Sequence, residues 1–190
     1  MRTQQELDQA LNNPDLAAVY LEGRNLCVGR PPAAAECQIV AKADIEVRAA
    51  ATVHVYDNVT VYAHRGAVVY ADGDAHVLAM GGSEVTARGK ARIVAHGDSA
   101  VRASGHAQVH ARGSSKVWAT DNAHVVADAR ATVTSLADTV RIWVTGTVTT
   151  TGAFPETVLA TPSGLLPHMN DFDWSRLKTF WRSERAWMPV

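Results

Sequence analysis

The sequence is poor in cysteine, in phenylalanine, in long apolar runs and in excess charge of either sign. Its 190 residues include two cysteines and three phenylalanines, and the formal net charge is −1. Nucleic-acid binding through neutralised phosphates needs a basic surface, and this charge argues against one. No apolar run approaches the roughly 18 residues of a membrane span, and the polar start MRTQQELDQ is not a secretory signal. We therefore expect a cytoplasmic or virion-associated protein that binds neither nucleic acid nor membranes.

Little in the sequence indicates a cofactor or a catalytic centre. Cys27 and Cys37 form no CxxC pair, so a redox or zinc site has no support, and free thiols are favoured over a disulfide. Among the eight histidines, His110 and His124 are the best metal candidates, and they are weak ones. No nucleophile–base pair or phosphate-binding loop stands out. We therefore predict no metal, no cofactor and no enzymatic activity.

What the sequence does contain is an internal repeat of eight residues. An aliphatic residue recurs at every eighth position from Val53 to Val133. Small residues, mostly alanine, lie two positions before and after it, and the residues between are mostly polar. Alternation over five residues is strand periodicity, not helix periodicity. Each octad therefore predicts one short strand of the form Ala-x-Val-x-Ala.

Three residues separate successive strands, and the middle one is usually glycine. Gly73, Gly89 and Gly105 occupy this position, and Asp121 replaces glycine once in the regular set. A corner that requires a positive φ favours this choice of residue. Strand and turn signals alternate in this way from about residue 46 to about residue 149.

Two architectures fit this alternation. In an antiparallel meander, neighbouring strands pair through three-residue hairpin loops, and the Ala-Val-Ala face stays uncovered unless a barrel closes. In a solenoid, that face is buried against the opposite wall of the same coil. One valine and two alanines per side are too small to fill a three-sided coil. We therefore predict an all-β protein, a two-sided β-solenoid of about sixteen residues per coil, with about six coils ~4.8 Å apart.

Both ends depart from the octad and are predicted to cap the solenoid. Residues 1–45 are predicted to form a helix followed by irregular capping strands. Thr3 and Glu6 form a capping box at the start of this helix. Residues 46–149 form the solenoid. Residues 150–190 form a proline-containing loop and a tryptophan-rich helix that caps the solenoid, covers one face or docks a partner. All three parts belong to one structural domain.

The octads, of the form Val-x-Ala-x-Gly/Asp-x-Ala-x-Val, follow a lead-in Thr3-Gln-Gln-Glu-Leu-Asp. Together they resemble the Ala/Val octapeptide-repeat proteins found in actinobacteria and their phages. The resemblance covers about residues 46–133 and, more loosely, the N-terminal helix. It implies a β-solenoid and a phage or prophage origin, and it carries over no catalytic residue.

Sixteen residues per coil place outward side chains in rows along each face. One face carries an apolar row that suits a protein contact, either with the C-terminal helix or with a second copy of the chain. Its residues are Tyr62, Leu78, Val94, His110 and Val126. The other face places aromatic side chains beside polar ones, which suits a sugar or another surface ligand. Its candidates are Tyr70, Glu84, Arg102 and Trp118.

These rows lead to three functional hypotheses. The first is a non-enzymatic rigid scaffold for protein–protein interaction or self-assembly, most simply a homo-oligomer, which uses the apolar row or an uncapped end. The second is a carbohydrate- or surface-ligand-binding module that uses the opposite face. The third is an enzyme with an unrecognised site.

Overall fold

The computed structural model describes residues 1–34, 37–152 and 156–159. The helix predicted within residues 150–190 falls on residues 171–187 and so lies outside the described residues. Met1–Leu159 form one compact unit.

The described chain contains one helix followed by eighteen strands. The helix is α1 (Gln4–Leu11). The first nine strands are β1 (Ala18–Leu21), β2 (Leu26–Val28), β3 (Gln38–Ala41), β4 (Ile45–Val47), β5 (Thr52–Val55), β6 (Thr60–Ala63), β7 (Val68–Ala71), β8 (His76–Met80) and β9 (Glu84–Ala87). The other nine are β10 (Arg92–His96), β11 (Ala100–Ala103), β12 (Gln108–Ala111), β13 (Lys116–Ala119), β14 (His124–Ala129), β15 (Thr132–Ser135), β16 (Arg141–Gly146), β17 (Thr149–Gly152) and β18 (Glu156–Leu159).

The strands alternate between two parallel sheets of nine strands each. Sheet A contains the odd-numbered strands in order, and sheet B contains the even-numbered strands in order. Each strand pairs with the strand one coil later, and in the octads the partners are sixteen residues apart. Val77 pairs with Ile93, for example, and Ile93 pairs with Val109. The predicted two-sided β-solenoid is confirmed, and parallel pairing excludes the meander.

The core lies between the sheets and consists of small aliphatic side chains. Along each octad strand the central valine or isoleucine and the flanking alanine are buried, while the residue between them faces outward, as at Val101 and Ala103 beside Arg102. The buried valines, isoleucines and alanines of both sheets belong to one hydrophobic cluster. The narrow core is therefore filled by the residues that the repeat supplies.

Glycines stack at the corners because the backbone there has a positive φ, and at some corners the space for a side chain is also short. Gly89 has a φ of +66°, and a Cβ built on it would lie 3.1 Å from the backbone N of Gly73. Gly105 is related to Gly89 in the same way, with φ +68° and 3.1 Å. Asp121, the predicted replacement, adopts φ +54° and so keeps the corner conformation. A β-branched side chain at such a corner would meet the backbone of the preceding coil.

The N-terminal helix is the one predicted. Thr3 is the N-cap, its Oγ1 accepts from the backbone N–H of Glu6 at 3.3 Å, and the Glu6 carboxylate accepts from the Thr3 N–H at 3.3 Å. Leu7 and Leu11 are buried, and α1 packs on β1 and β2. The helix therefore covers the N-terminal end of the core.

The solenoid begins earlier than the octads do, at Ala18 instead of residue 46. Its first strands pair at irregular spacings, twenty residues between Ala18 and Gln38 and fourteen between Ile39 and Val53. Larger side chains such as Leu21 and Ile39 fill the core there. Residues before the octads thus form coils of the same solenoid, although they carry no repeat that the sequence alone would reveal.

Candidate functional site

The five predicted interface residues lie in one continuous row on the outer face of sheet B. Their strands pair so that each residue lies directly beside the next. We call this set the sheet B row: Tyr62, Leu78, Val94, His110 and Val126. Trp143 extends it, because Trp143 pairs with Val126 at a spacing of seventeen instead of sixteen. That one-residue irregularity is why period counting missed Trp143.

The centre of the sheet B row is nearly inaccessible although it points away from the core. Leu78 is 2% exposed, Val94 is 4% exposed and His110 is 8% exposed. Among the described elements, β8 mainly contacts its sheet neighbours β6 and β10 and the following strand β9. On sheet A, Tyr70 occupies the equivalent outward position and is 43% exposed. The sheet B row therefore behaves as a packing surface, and the outer face of sheet A is solvated.

Histidines concentrate on the same side of the solenoid. Five of the eight lie on strands of sheet B or directly after one: His64, His76, His96, His110 and His124. Sequence reasoning treated them as scattered because they occupy different positions within the octad. Stacking of adjacent coils brings those positions onto one face.

Two histidines on this side each lie beside a carboxylate that also accepts from an arginine. His110 Nε2 lies 3.4 Å from Asp128 Oδ2, and Arg112 Nε donates to the same oxygen at 2.9 Å. Burial lowers the pKa of His110, the Arg112 charge lowers it further, and Asp128 opposes both effects. His64 Nε2 lies 2.8 Å from Glu46 Oε1, which also accepts from Arg48 Nε at 2.8 Å.

A metal site does not assemble from these groups in the part of the chain that the structure describes. No three His, Cys, Asp or Glu residues there are grouped so that they could hold a metal ion. His110 lies beside Val126 in the register, and His124 lies beside Gln108, so the two predicted candidates are diagonal neighbours. Each belongs instead to a separate interaction, His110 with Asp128 and His124 edge-on to Trp143 at 5.6 Å.

The four predicted ligand-binding residues all lie on the outer face of sheet A. Tyr70, Arg102 and Trp118 share one row, with Thr86 between the first two, and Glu84 lies in the adjacent row. The Arg102 guanidinium lies 5.6 Å from the centre of the Trp118 ring, a cation–π contact. Tyr70 lies three coils before Trp118, and its ring stacks on His54.

A groove surrounds Tyr70 across three consecutive strands of sheet A. We call it the sheet A groove, and its side chains are His54, Tyr56, Tyr70, Asp72, Thr86 and Arg88. Tyr56, Asp72 and Arg88 are the first residues after β5, β7 and β9. Sequence reasoning assigned these positions to turns and so overlooked them. Their spacing of sixteen was the signal that could have placed them in one row.

Inside the solenoid, three serines stack at one corner of sheet A. Ser83, Ser99 and Ser115 are completely buried, and their hydroxyls have no hydrogen-bond partner among the described residues. The corresponding corner of sheet B carries Ala91, Ala107 and Ala123. The two walls thus differ inside as well as outside.

The comparisons with known proteins return nothing. No protein-family model, curated protein or solved structure matches the chain.

Within the described residues no helix is both long enough and apolar enough to cross a bilayer. Cys27 and Cys37 are free thiols, and burial raises the pKa of both.

Proposed function

We propose that the protein is a non-enzymatic β-solenoid scaffold for protein–protein interaction. We further propose that its partner is a second copy of the same chain, which binds through the sheet B row. The observation that carries this proposal is the register of the sheet B row, which places the aliphatic side chains of Leu78, Val94 and Val126 on the outer face of one sheet, in line along the solenoid. An outward aliphatic row of this kind serves as a packing surface.

The energetics of the row favour contact with polypeptide. Full burial of a leucine or valine side chain stabilises by about 1.5–3 kcal/mol, and a partner gains only the part of this that residues still half-exposed, such as Val126, retain. The parallel pairing of the octad strands holds the successive members of the row side by side, so little conformational entropy is lost when a partner binds. Val126, near one end of the row, is half-buried and leaves apolar area for a second chain. An isologous dimer would use this area twice.

The test is the molar mass by light scattering after size exclusion, over a wide concentration range. We expect a discrete dimer for the wild type and a folded monomer for Leu78→Lys with Val94→Lys. The matched control, Val68→Lys with Ala100→Lys, adds the same charges to outward positions of sheet A and should keep the dimer. Leu78→Ala with Val94→Ala removes apolar contact without adding charge, in case the lysines prevent folding.

Two outcomes would contradict self-association. A wild-type mass that stays at one chain would mean that the row is satisfied within the single chain. A sheet B variant that assembles as the wild type does would move the interface elsewhere. The phage or prophage origin and the cytoplasmic or virion-associated location stay predictions in either case.

A further inference from the structure

We propose that the sheet A groove is a binding site for a neutral carbohydrate. The groove lies on the opposite sheet from the sheet B row, so this site goes beyond the scaffold function and can succeed or fail independently of it. Three kinds of observation carry the proposal, namely exposed aromatic rings, polar groups that keep their hydrogen-bonding capacity, and an elongated arrangement over three strands.

The aromatic rings form a fixed and accessible platform. Tyr56 is 50% exposed and Tyr70 is 43% exposed. His54, one coil before Tyr70, stacks on it with ring centres 4.9 Å apart and planes 11° from parallel. Stacking restrains the Tyr70 ring before any ligand arrives, which reduces the entropy lost on binding. His54 covers one face of Tyr70. The flat C–H face of a pyranose can pack on the parts of Tyr70 and Tyr56 that stay exposed, since tyrosine offers a large, rigid, amphipathic contact surface.

The polar side chains of the groove keep groups available for a ligand. Asp72 Oδ1 accepts from the backbone N–H of Gly73 at 2.8 Å, which orients the carboxylate and leaves Oδ2 for another donor. Arg88 lies one coil beyond Asp72, yet no ion pair joins the two side chains. The groove therefore offers a charged acceptor and a charged donor that do not satisfy each other. Charged groups make the stronger hydrogen bonds, which suits ligands without charge of their own.

The balance of charge decides which kind of ligand fits. Asp72 contributes one negative charge and Arg88 one positive charge, so the pair is neutral as a whole. Adjacent sugar hydroxyls each donate and accept, and they match an acceptor and a donor placed side by side. A phosphate or sulfate would gain from Arg88 but would be repelled by Asp72. The groove is therefore built for hydroxyls instead of anions.

The groove is longer than a single sugar ring needs. Its side chains come in three pairs, one pair from each of three consecutive coils: His54 with Tyr56, Tyr70 with Asp72, and Thr86 with Arg88. With strands ~4.8 Å apart, the three coils span about 10 Å along the solenoid. Thr86 leads on to Arg102 in the same row. An oligosaccharide lying along the solenoid axis would contact several coils in succession.

The experiment is binding to an array of immobilised neutral, sialylated and sulfated oligosaccharides, followed by calorimetry with each oligosaccharide that binds. We expect the wild type to bind neutral oligosaccharides. Tyr70→Ala and Tyr56→Ala should each weaken that binding about tenfold or more. The matched control is Tyr20→Ala, because Tyr20 is also an exposed tyrosine on sheet A, 53% accessible, and lies outside the groove. Its affinity should stay within about twofold of the wild type.

Two further variants separate the contributions and guard against misfolding. Tyr70→Phe keeps the ring and should retain most of the affinity if stacking dominates, and Arg88→Gln should weaken binding while the fold is unchanged by circular dichroism. None of these variants should alter the molar mass in light scattering. The proposal is overturned if no oligosaccharide binds, if only anionic ones bind, or if Tyr20→Ala loses as much affinity as Tyr70→Ala.

Discussion

The two sheets are built from the same octad repeat, and yet their outer faces differ in composition and exposure. On sheet B the central outward row is apolar and nearly inaccessible at Leu78 and Val94. On sheet A the same positions carry Tyr70, Thr86 and Arg102, which are wholly or partly exposed. The inward residues must be small on both walls because the core is thin. The outward residues are under no such constraint, so the difference in surface chemistry lies in the variable positions of the repeat.

The largest expected effect tests whether the sheet B row is a packing surface. Leu78→Ala should lower the free energy of unfolding by about 2–4 kcal/mol, because the side chain is buried although it points outward. Val68→Ala, at an outward position of sheet A, should cost less than about 1 kcal/mol. Urea denaturation of both variants measures the difference. Equal losses would remove the contrast between the two faces.

Inward substitutions should cost the same on both walls. Val69 on sheet A and Val77 on sheet B both occupy the centre of a strand and are buried. Val69→Ala and Val77→Ala should each lose about 2 kcal/mol of unfolding free energy. The measurement is again urea denaturation, with the slope of the transition as a check for unfolding as one unit. A clear inequality would mean that the sheets also differ at their central valines, and not only at the serine corner and on their outer faces.

The third prediction concerns the serine corner, where sheet A has hydroxyls and sheet B has methyl groups. Ser99→Ala should stabilise the protein by about 1 kcal/mol, because it removes a buried hydroxyl without a partner among the described residues. Ala107→Ser, the reverse change on sheet B, should destabilise by a similar amount. Thermal denaturation distinguishes the two directions. A Ser99→Ala protein less stable than the wild type would indicate that the hydroxyl is satisfied.

The smallest effect expected is a pH dependence confined to sheet B. The pKa of His110 is lowered from its ordinary value of about 6.5. Above that value both the folded and the unfolded state hold this histidine neutral. As the pH falls below it, the unfolded state binds the proton first, so stability decreases until the pH passes the lower pKa of the folded state. His110→Gln should make the free energy of unfolding less dependent on pH in this range, and an unchanged profile would contradict the assignment.

The octads allowed the fold to be predicted because each one repeats the same strand and corner pattern. Strand alternation, corner glycines and a core too thin for three sides all indicated a two-sided solenoid, and the capping box of Thr3 and Glu6 indicated α1. The strands before the octads were described only as irregular caps. Their spacings of twenty, nineteen and fourteen residues hide the coil from any search for a fixed period.

The candidate sites were predicted in part. The members of the sheet B row were predicted correctly to lie together, because rows follow directly from a sixteen-residue coil. Trp143 was missed because one extra residue precedes it and breaks the sixteen-residue spacing. Residues next to a turn were not assigned to a face, and this is why the sequence analysis missed Tyr56, Asp72 and Arg88. Such residues continue the outward alternation of the strand, and only the stacked coils place them beside Tyr70.

By itself, the sequence determined the period, the alternation of inward and outward residues, and the corners, since these depend on neighbours within one octad. Tertiary structure decided how exposed an outward side chain is and which charged groups meet. Three examples depend on contacts between coils. Leu78 is buried, and His54 stacks on Tyr70. Asp128 forms an ion pair with Arg112, whereas Asp72 forms none with Arg88. These outcomes depend on side-chain rotamers and on neighbours sixteen residues away, which a repeat brings close without specifying how they touch.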